Sequence, residues 1–141
     1  MQVFLPYPDL KLSVCSLDQK RLGNQVYREC LTIIRGGWPN HPTSRMWKGY
    51  ERALASYALF GLEELSRRGH PYAHHVSTFL SYLDGPVLLP DWLGDRKLHA
   101  SHRSALLYKN QDWYQQFGWK DKPAKPDANG KLLYVWPATQ C

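Results

Sequence analysis

Apolar residues recur at helical spacing along most of the chain. In the segment 16–34 they fall on one side of a helix with about 100° per residue, at Leu22, Val26, Cys30 and Ile33. Ser16 and Gln19 have the spacing of a capping box, which begins a helix, and the pair Gly36-Gly37 is typical of a helix end. The pattern predicts a first helix over residues 16–34.

Four further segments show helical patterns, at residues 44–68, 71–83, 95–108 and 111–117. The longest contains Gly49 and Gly61, and a glycine inside a helix costs about 1 kcal/mol relative to alanine. These two glycines therefore indicate close packing against a neighbouring helix. After residue 120 the composition predicts loop, apart from an apolar patch at 132–136 that we expect to pack against the rest of the protein.

These elements predict an all-α protein with a single domain over residues 1–141. The 141 residues are 43% hydrophobic, which is enough for an ordinary core. We expect a compact helical bundle with long ordered loops. We also expect an irregular tail, at 120–141, that packs on the body of the domain.

Charge indicates the kind of partner. The formal net charge of +6 favours a polyanion, and no long tail of one sign carries it. The polar side of the first helix carries Arg21, Gln25, Arg28, Glu29 and Arg35. An ordinary solvated helix face is the alternative interpretation of this row, although no Glu-to-Lys pair four residues apart supports the helix there.

No secretory signal and no membrane span is visible in the sequence. The three cysteines, Cys15, Cys30 and Cys141, lack the spacing of a metal site, and Cys30 falls on the apolar side of the first helix. We therefore expect a protein of a reducing cytoplasm, without membrane contact, metal or cofactor.

Three motifs follow one another along the chain. The first is Tyr27-Arg28-Glu29, on the first predicted helix. The second is a stretch that opens with Lys48-Gly49-Tyr50-Glu51 and ends with Leu65-Ser66-Arg67-Arg68-Gly69. The third is Trp113-Tyr114 followed by Phe117-Gly118. In the order and spacing of these motifs, over roughly 1–120, the chain resembles the pyrimidine-dimer DNA glycosylases with abasic lyase activity, typified by the small phage endonuclease V.

A phage and actinobacterial branch of that family is more similar still. The motifs shared with this branch are Phe4-Leu5-Pro6-Tyr7-Pro8, Lys20-Arg21-Leu22-Gly23, Gly37-Trp38, Asn40-His41-Pro42, Met46-Trp47-Lys48-Gly49-Tyr50-Glu51 and Ser101-His102-Arg103.

The resemblance implies a nucleophile at the N-terminal α-amine, which attacks the sugar C1′ and forms a Schiff base before the strand is cut. An α-amine has a reference pKa of about 7.7–8.0, against about 10.4 for lysine, so more of it is neutral at pH 7. Because Gln2 is large, we expect Met1 to be retained and to supply this amine. Glu29 matches the acid that stabilises the positive sugar and moves protons.

The resemblance also implies the DNA contacts. Lys20, Arg21, Gln25, Arg28 and Arg35 are expected to bind DNA, mainly at phosphates, and Trp113 and Tyr114 are expected near the lesion. Base or phosphate contacts are further expected from His41, His102 and Arg103. The expected partner is duplex DNA with damaged or modified pyrimidines, bound by a monomer in a bacterial or phage-infected cell.

Several alternatives stay open. The protein could bind DNA without cutting it, or could hydrolyse the bond with water after loss of the lyase step. A metal-assisted hydrolase built on His41, His99 and His102 is a third hypothesis. For single residues, Glu29 could instead pair with a neighbouring arginine at the surface, and Trp113 could be a core anchor.

Overall fold

The computed structural model describes residues 2–70 and 75–137. Within these ranges the chain is helical and contains no strand, which confirms the all-α prediction. The helices are α1 (Leu10–Cys15), α2 (Gln19–Asn24), a π-helical turn (Gln25–Cys30), α3 (Leu31–Ile34), α4 (Pro42–Trp47), α5 (Glu51–Arg67), α6 (Val76–Leu80), α7 (Arg96–Lys109), α8 (Gln111–Tyr114) and a 3-10 turn (Gln115–Phe117). None of the described helices is long and apolar enough to cross a membrane.

The first predicted helix corresponds to α2, the π-helical turn and α3, which follow one another without a break over 19–34. The predicted capping box is wrong. Ser16 is the C-cap of α1, where its hydroxyl donates to the Ser13 carbonyl, and Asp18 is the N-cap of α2. The separate helix α1 was not predicted, because it is only six residues long and has little room for a periodic pattern.

The long second helix is interrupted where the sequence predicted continuity. Gly49 has φ = 87°, a left-handed conformation, and it lies in the turn between α4 and α5. It is therefore a turn residue rather than a site of close helix packing. Gly61 does have the predicted role, since a Cβ there would lie 2.7 Å from Val26 Cγ2 and 3.2 Å from Val14 Cγ2.

Helix α5 is the centre of the bundle. It contacts α1, α2, the π-helical turn, α3 and α6, and its buried side chains include Leu54, Tyr57, Leu62 and Leu65. Cys30 is buried in the same core, as predicted.

The remaining predictions are confirmed apart from their boundaries. Helix α7 and the pair of α8 with the 3-10 turn match the segments 95–108 and 111–117. Only Val76–Leu80 of the segment 71–83 is α-helical, and 71–74 lie outside the described residues. In the C-terminal patch, Leu132, Tyr134 and Trp136 pack against the core, as expected.

The extended N-terminal segment, residues 2–5, is buried in the bundle, and side chains rather than a sheet bind its backbone. Gln25 is central: its Nε2 donates to the Gln2 carbonyl (2.9 Å) and its Oε1 accepts from Phe4 N (2.7 Å). The Tyr57 hydroxyl donates to the Phe4 carbonyl (2.8 Å). These bonds satisfy polar groups that would otherwise be buried without partners.

Helix α7 binds the next residues of the segment. His102 Nδ1 accepts from Leu5 N (2.8 Å), and His99 Nδ1 lies 2.7 Å from the Leu5 carbonyl. His99 Nε2 accepts from Gly94 N, so the proton of a neutral His99 lies on Nδ1 and is donated to Leu5. Arg103 donates to the Pro6 carbonyl. We call Gln25, Tyr57, His99, His102 and Arg103 the N-terminal clamp.

A second buried polar cluster joins α8 to the start of α2. The Tyr114 hydroxyl donates to Asp18 Oδ1 (2.6 Å), and Asn110 and Arg21 donate to Oδ2. Burial alone would raise the pKa of Asp18, but these hydrogen bonds together lower it below its ordinary value.

Replacing Gly61 by alanine should destabilise the protein by about 1–3 kcal/mol, because the new methyl group must displace Val26, whose branched side chain is stiff. Gly23, in α2, is the matched control: no atom lies within 4 Å of a Cβ there, so Gly23→Ala should be stabilising by about 0.5–1 kcal/mol. Urea denaturation of both variants checks the pair. Equal effects would contradict the packing described for α5.

The N-terminal clamp should make stability depend on pH. Burial lowers the pKa of His102 to about 3 and also lowers that of His99. Each group binds a proton more readily in the unfolded chain, so its contribution is complete above about pH 6.5 and is lost as the pH falls. Between pH 6.5 and 5, His102 should contribute up to about 1.4 kcal/mol of stability per pH unit, and His99 should add to the slope in the same direction.

The variant His102→Asn keeps an acceptor for Leu5 N but removes the titration, so the slope of unfolding free energy against pH should decrease. An unchanged slope in the His102 variant would show that the imidazole is not the titrating group.

Candidate functional site

Glu29 lies in the π-helical turn, Gln25–Cys30. Turns of this kind are rare and frequently occur at functional sites, because the inserted residue changes where neighbouring side chains point. The Glu29 side chain is half-buried. Burial raises the pKa of its carboxyl group, against the opposing charges of the N-terminus and Arg28. Glu29 therefore binds a proton more readily than an exposed glutamate.

Glu29 has no hydrogen-bond or ion-pair partner among the described residues. In particular, no ion pair joins it to Arg28 or Arg35, the partners proposed by the surface interpretation. Other acids do have arginine partners: the paired acids are Asp18, Glu64, Asp84 and Asp121. Among the described residues, Glu29 thus differs from these four acids in having no arginine partner.

The beginning of the chain reaches the same helix. Gln25, which binds the Gln2 carbonyl, is four residues before Glu29 in the π-helical turn. Gln25 thus holds Gln2 in place, and consecutive Cα atoms are about 3.8 Å apart. The α-amine belongs to the residue that directly precedes this held position. Met1 itself lies outside the described residues.

His41 is the N-cap of α4. Its Nδ1 accepts from Thr43 N (3.1 Å), and its ring lies edge to face with Trp136, with centroids 6.3 Å apart. Burial, followed by the positive charge of the N-terminus, lowers the pKa of His41. The imidazole is thus neutral near pH 7 and its Nδ1 is already bound by the backbone.

The other residues expected at bases or phosphates belong to the N-terminal clamp. His102 is fully buried between Phe4 and Tyr134, and its Nε2 has no hydrogen-bond partner among the described residues. Arg103 binds Asp121 as well as the Pro6 carbonyl. Both side chains bind the chain's own backbone. The full burial of His102 speaks against a contact with DNA, and the expected contact of Arg103 stays a prediction.

The basic row on the first helix is only partly exposed. Lys20, Arg28 and Arg35 are exposed, whereas Arg21 is half-buried and paired with Asp18. Gln25 is buried in the N-terminal clamp, so its expected contact with DNA is not supported. A regular helix at about 100° per residue already places Gln25 about 60° from Leu22, at the edge of the apolar side, so its assignment to the polar side was wrong.

Sequence analysis missed two features of this surface. Lys109, at the end of α7, lies close enough to Arg21 and Lys20 for their charges to lower its pKa, after the larger effect of burial. It extends the positive surface at the start of α2. Trp38, which was named above only within the motif Gly37-Trp38, is 70% exposed with a positive φ.

The two aromatic residues expected near the lesion are structural. Tyr114 is fully buried and bound to Asp18, so it cannot stack on a base at the surface. Trp113 is half-buried: its Nε1 donates to the Ser16 carbonyl (2.8 Å), and the Arg68 guanidinium lies 5.2 Å from its ring centroid. The core-anchor interpretation of Trp113 matches this position.

The described residues contain no cluster of side chains that supports the hypothesis of a metal-assisted hydrolase. Both nitrogens of His99 are engaged, by Leu5 and Gly94, and His41 Nδ1 is engaged by Thr43. In the parts of the chain that the structure describes, no group of three His, Cys, Asp or Glu side chains could hold a metal ion.

Comparison with known proteins identifies the family. None of the curated proteins and none of the solved structures compared with the chain matches it. The family model for pyrimidine dimer DNA glycosylases matches residues 1–80, which are more than half of the chain and include the N-terminal segment, the π-helical turn and Glu29. The chain therefore belongs to the pyrimidine dimer DNA glycosylase family.

Proposed function

We propose that this protein excises damaged or modified pyrimidines from duplex DNA with its N-terminal amine and Glu29, and then cuts the strand as an abasic lyase. One observation carries the proposal. A half-buried carboxylate without a partner among the described residues lies on the same π-helical turn as Gln25, which fixes residue 2. The charge of the N-terminus acts on both Glu29 and His41, which supports a site shared by the amine and these two side chains.

The chemistry is a displacement at the sugar. The neutral amine forms a bond to C1′ while the N-glycosidic bond breaks, and the leaving base takes up a proton. Loss of a proton from nitrogen and opening of the sugar ring give the imine. Removal of a C2′ proton then expels the 3′ phosphate, and water releases the protein. Ionised Glu29 stabilises the positive charge at the sugar and accepts protons.

The environment of Glu29 suits these steps. Its raised pKa makes the carboxylate a better base than an exposed glutamate. The amine is a better nucleophile than a lysine at this pH, because its reference pKa is about 7.7–8.0. Retained Met1 supplies that amine in our proposal.

DNA binding is supported by the exposed cations on the same helix. Lys20, Arg28 and Arg35 lie before and after Glu29 in sequence, and Lys109 extends the charge. Each phosphate contact should contribute about 0.9 to the magnitude of the log–log salt slope on duplex DNA. We propose that a monomer acts in a bacterial or phage-infected cytoplasm, where such DNA is found.

Replacing Glu29 by glutamine should lower the rate of base excision by about 10²–10⁴-fold, because the neutral amide can neither stabilise the positive sugar nor accept a proton. Affinity for duplex DNA should change little, since the phosphate-binding cations remain. Single-turnover excision from ultraviolet-irradiated duplex DNA and a binding titration measure the two quantities.

Glu63, an exposed glutamate of α5, is the matched control, and Glu63→Gln should behave as the wild type. Excision that is unaffected by Glu29→Gln would remove this residue from the mechanism. Binding without excision in the wild-type protein would instead favour a non-catalytic DNA-binding role.

Borohydride added during reaction with abasic duplex DNA should reduce the imine and trap a covalent adduct on the N-terminal peptide. Addition of two residues, Gly-Ser, before Met1 should abolish trapping, because it moves the amine away from Glu29 while leaving every lysine in place. Intact mass before reaction establishes which residue begins the chain, and peptide mass spectrometry locates the adduct. An adduct of undiminished yield on a lysine of the extended protein would contradict the assignment of the nucleophile.

A further inference from the structure

Trp38 lies in the loop between α3 and α4, with 70% of its surface exposed. Its φ of 50° places it in the left-handed region, which bulky residues rarely adopt. Backbone strain of this kind persists only where the surrounding structure holds it, and it is concentrated at ligand-binding and active sites. Neither the N-terminal clamp nor the proposed role of Glu29 accounts for the exposure and the left-handed backbone of Trp38.

The backbone is fixed on both sides of Trp38. Gly37 N donates to the Thr32 carbonyl (2.9 Å), and the Ser44 hydroxyl donates to the Gly37 carbonyl (3.1 Å). Gly37 also packs tightly, because a Cβ there would lie 2.7 Å from Thr32 Cγ2. On the other side, His41 N donates to the Trp38 carbonyl (3.0 Å). A firmly held loop thus presents an indole to solvent, which lowers the cost of ordering that ring on binding.

The loop is bound to the helix that carries Glu29. Thr32, which holds the loop, is three residues after Glu29 in one continuous helix, and therefore about one turn away. No acidic residue lies between Glu29 and Glu51 in the sequence. The exposed cations of this segment are Arg35, Arg45 and Lys48. An exposed aromatic ring surrounded in sequence by positive charge suits a ligand that combines stacked bases with phosphates.

We propose that Trp38 inserts its indole into the base stack beside the damaged nucleotide and holds the duplex open while Glu29 and the amine reach the sugar. An enzyme that acts on a base within a duplex must unstack it, and apolar side chains that enter between base steps compensate for the lost stacking. Trp38 is then a positioning residue rather than a catalytic one. This inference rests on the proposed function, which supplies the reaction that the opened duplex serves.

The test separates opening of the duplex from chemistry. Trp38→Ala, Trp38→Phe and a control, Leu12→Ala, are compared with the wild type; Leu12 is an exposed apolar residue of α1. Excision is measured on a duplex with a single thymine dimer, and borohydride trapping is measured on a single-stranded abasic oligonucleotide, which needs no opening. A duplex with 2-aminopurine next to a stable abasic analogue reports unstacking through its fluorescence on binding.

Trp38→Ala should lower excision from the duplex by about 10-fold, as expected for loss of one stacking contact. It should also abolish the fluorescence increase, while trapping on the single strand stays close to the wild-type rate. Trp38→Phe should restore much of both duplex signals, and Leu12→Ala should change neither. Equal losses on duplex and single strand, or a fluorescence increase that persists in Trp38→Ala, would overturn the proposal.

Failure of the proposed function gives a different result. If the wild type neither excises nor traps, the chemistry assigned to the amine and Glu29 is lost, but the fluorescence comparison still decides the role of Trp38. An increase that depends on Trp38 would support insertion, and a wild-type protein without any increase would contradict it.

Discussion

The hydrogen bonding of the N-terminal segment is the constraint on which the rest of the structure depends. Residues 2–5 are buried but form no sheet, so side chains must satisfy their backbone groups. Gln25, Tyr57, His99 and His102 do so from three separate helical segments. A buried backbone group without a partner costs about 1–3 kcal/mol, so loss of one clamp residue affects both stability and the position of the chain's beginning.

The same hydrogen bonds connect the core to the site proposed for catalysis. Gln25 begins the π-helical turn that carries Glu29, and it is also the residue that fixes Gln2. The turn therefore determines the position of the carboxylate and the anchor of the first residues together. His41 lies on a different helix but is influenced by the same N-terminal charge. An enzyme that uses its own N-terminus needs such an arrangement, because a free terminus is otherwise poorly ordered.

Most of the fold could be predicted from the sequence, and much of the site could not. Periodicity identified the first helix, α7 and the all-α class, because a helix that packs on one face repeats its apolar residues. From the sequence, Gly49 and Gly61 were both predicted to mark close helix packing. In the structure, Gly49 lies in a turn with positive φ, whereas Gly61 packs against Val26. That difference depends on backbone dihedral angles and on neighbours distant in sequence.

The errors at the site have a related cause. His102 and Tyr114 are polar or amphipathic residues that sequence patterns favour at a surface, yet each binds a distant partner within the core, Leu5 and Asp18 respectively. Gln25 was assigned to the polar side although a regular helix places it about 60° from Leu22, at the edge of the apolar side. Glu29 could be named as a candidate because the motif around it is local, whereas its lack of a partner among the described residues could be recognised only from the fold; its catalytic role stays a prediction. The relation to a phage and actinobacterial branch stays a prediction.

The central claim is that the N-terminal amine and Glu29 act on one sugar. A crystal structure of the borohydride-reduced complex with abasic duplex DNA tests it most directly. We predict a covalent bond between the amine of residue 1 and C1′, with a Glu29 carboxylate oxygen within about 3.2 Å of the sugar or of one bridging water. A bond formed by a lysine, or a Glu29 side chain directed away from the sugar with protein packed between them, would contradict the account.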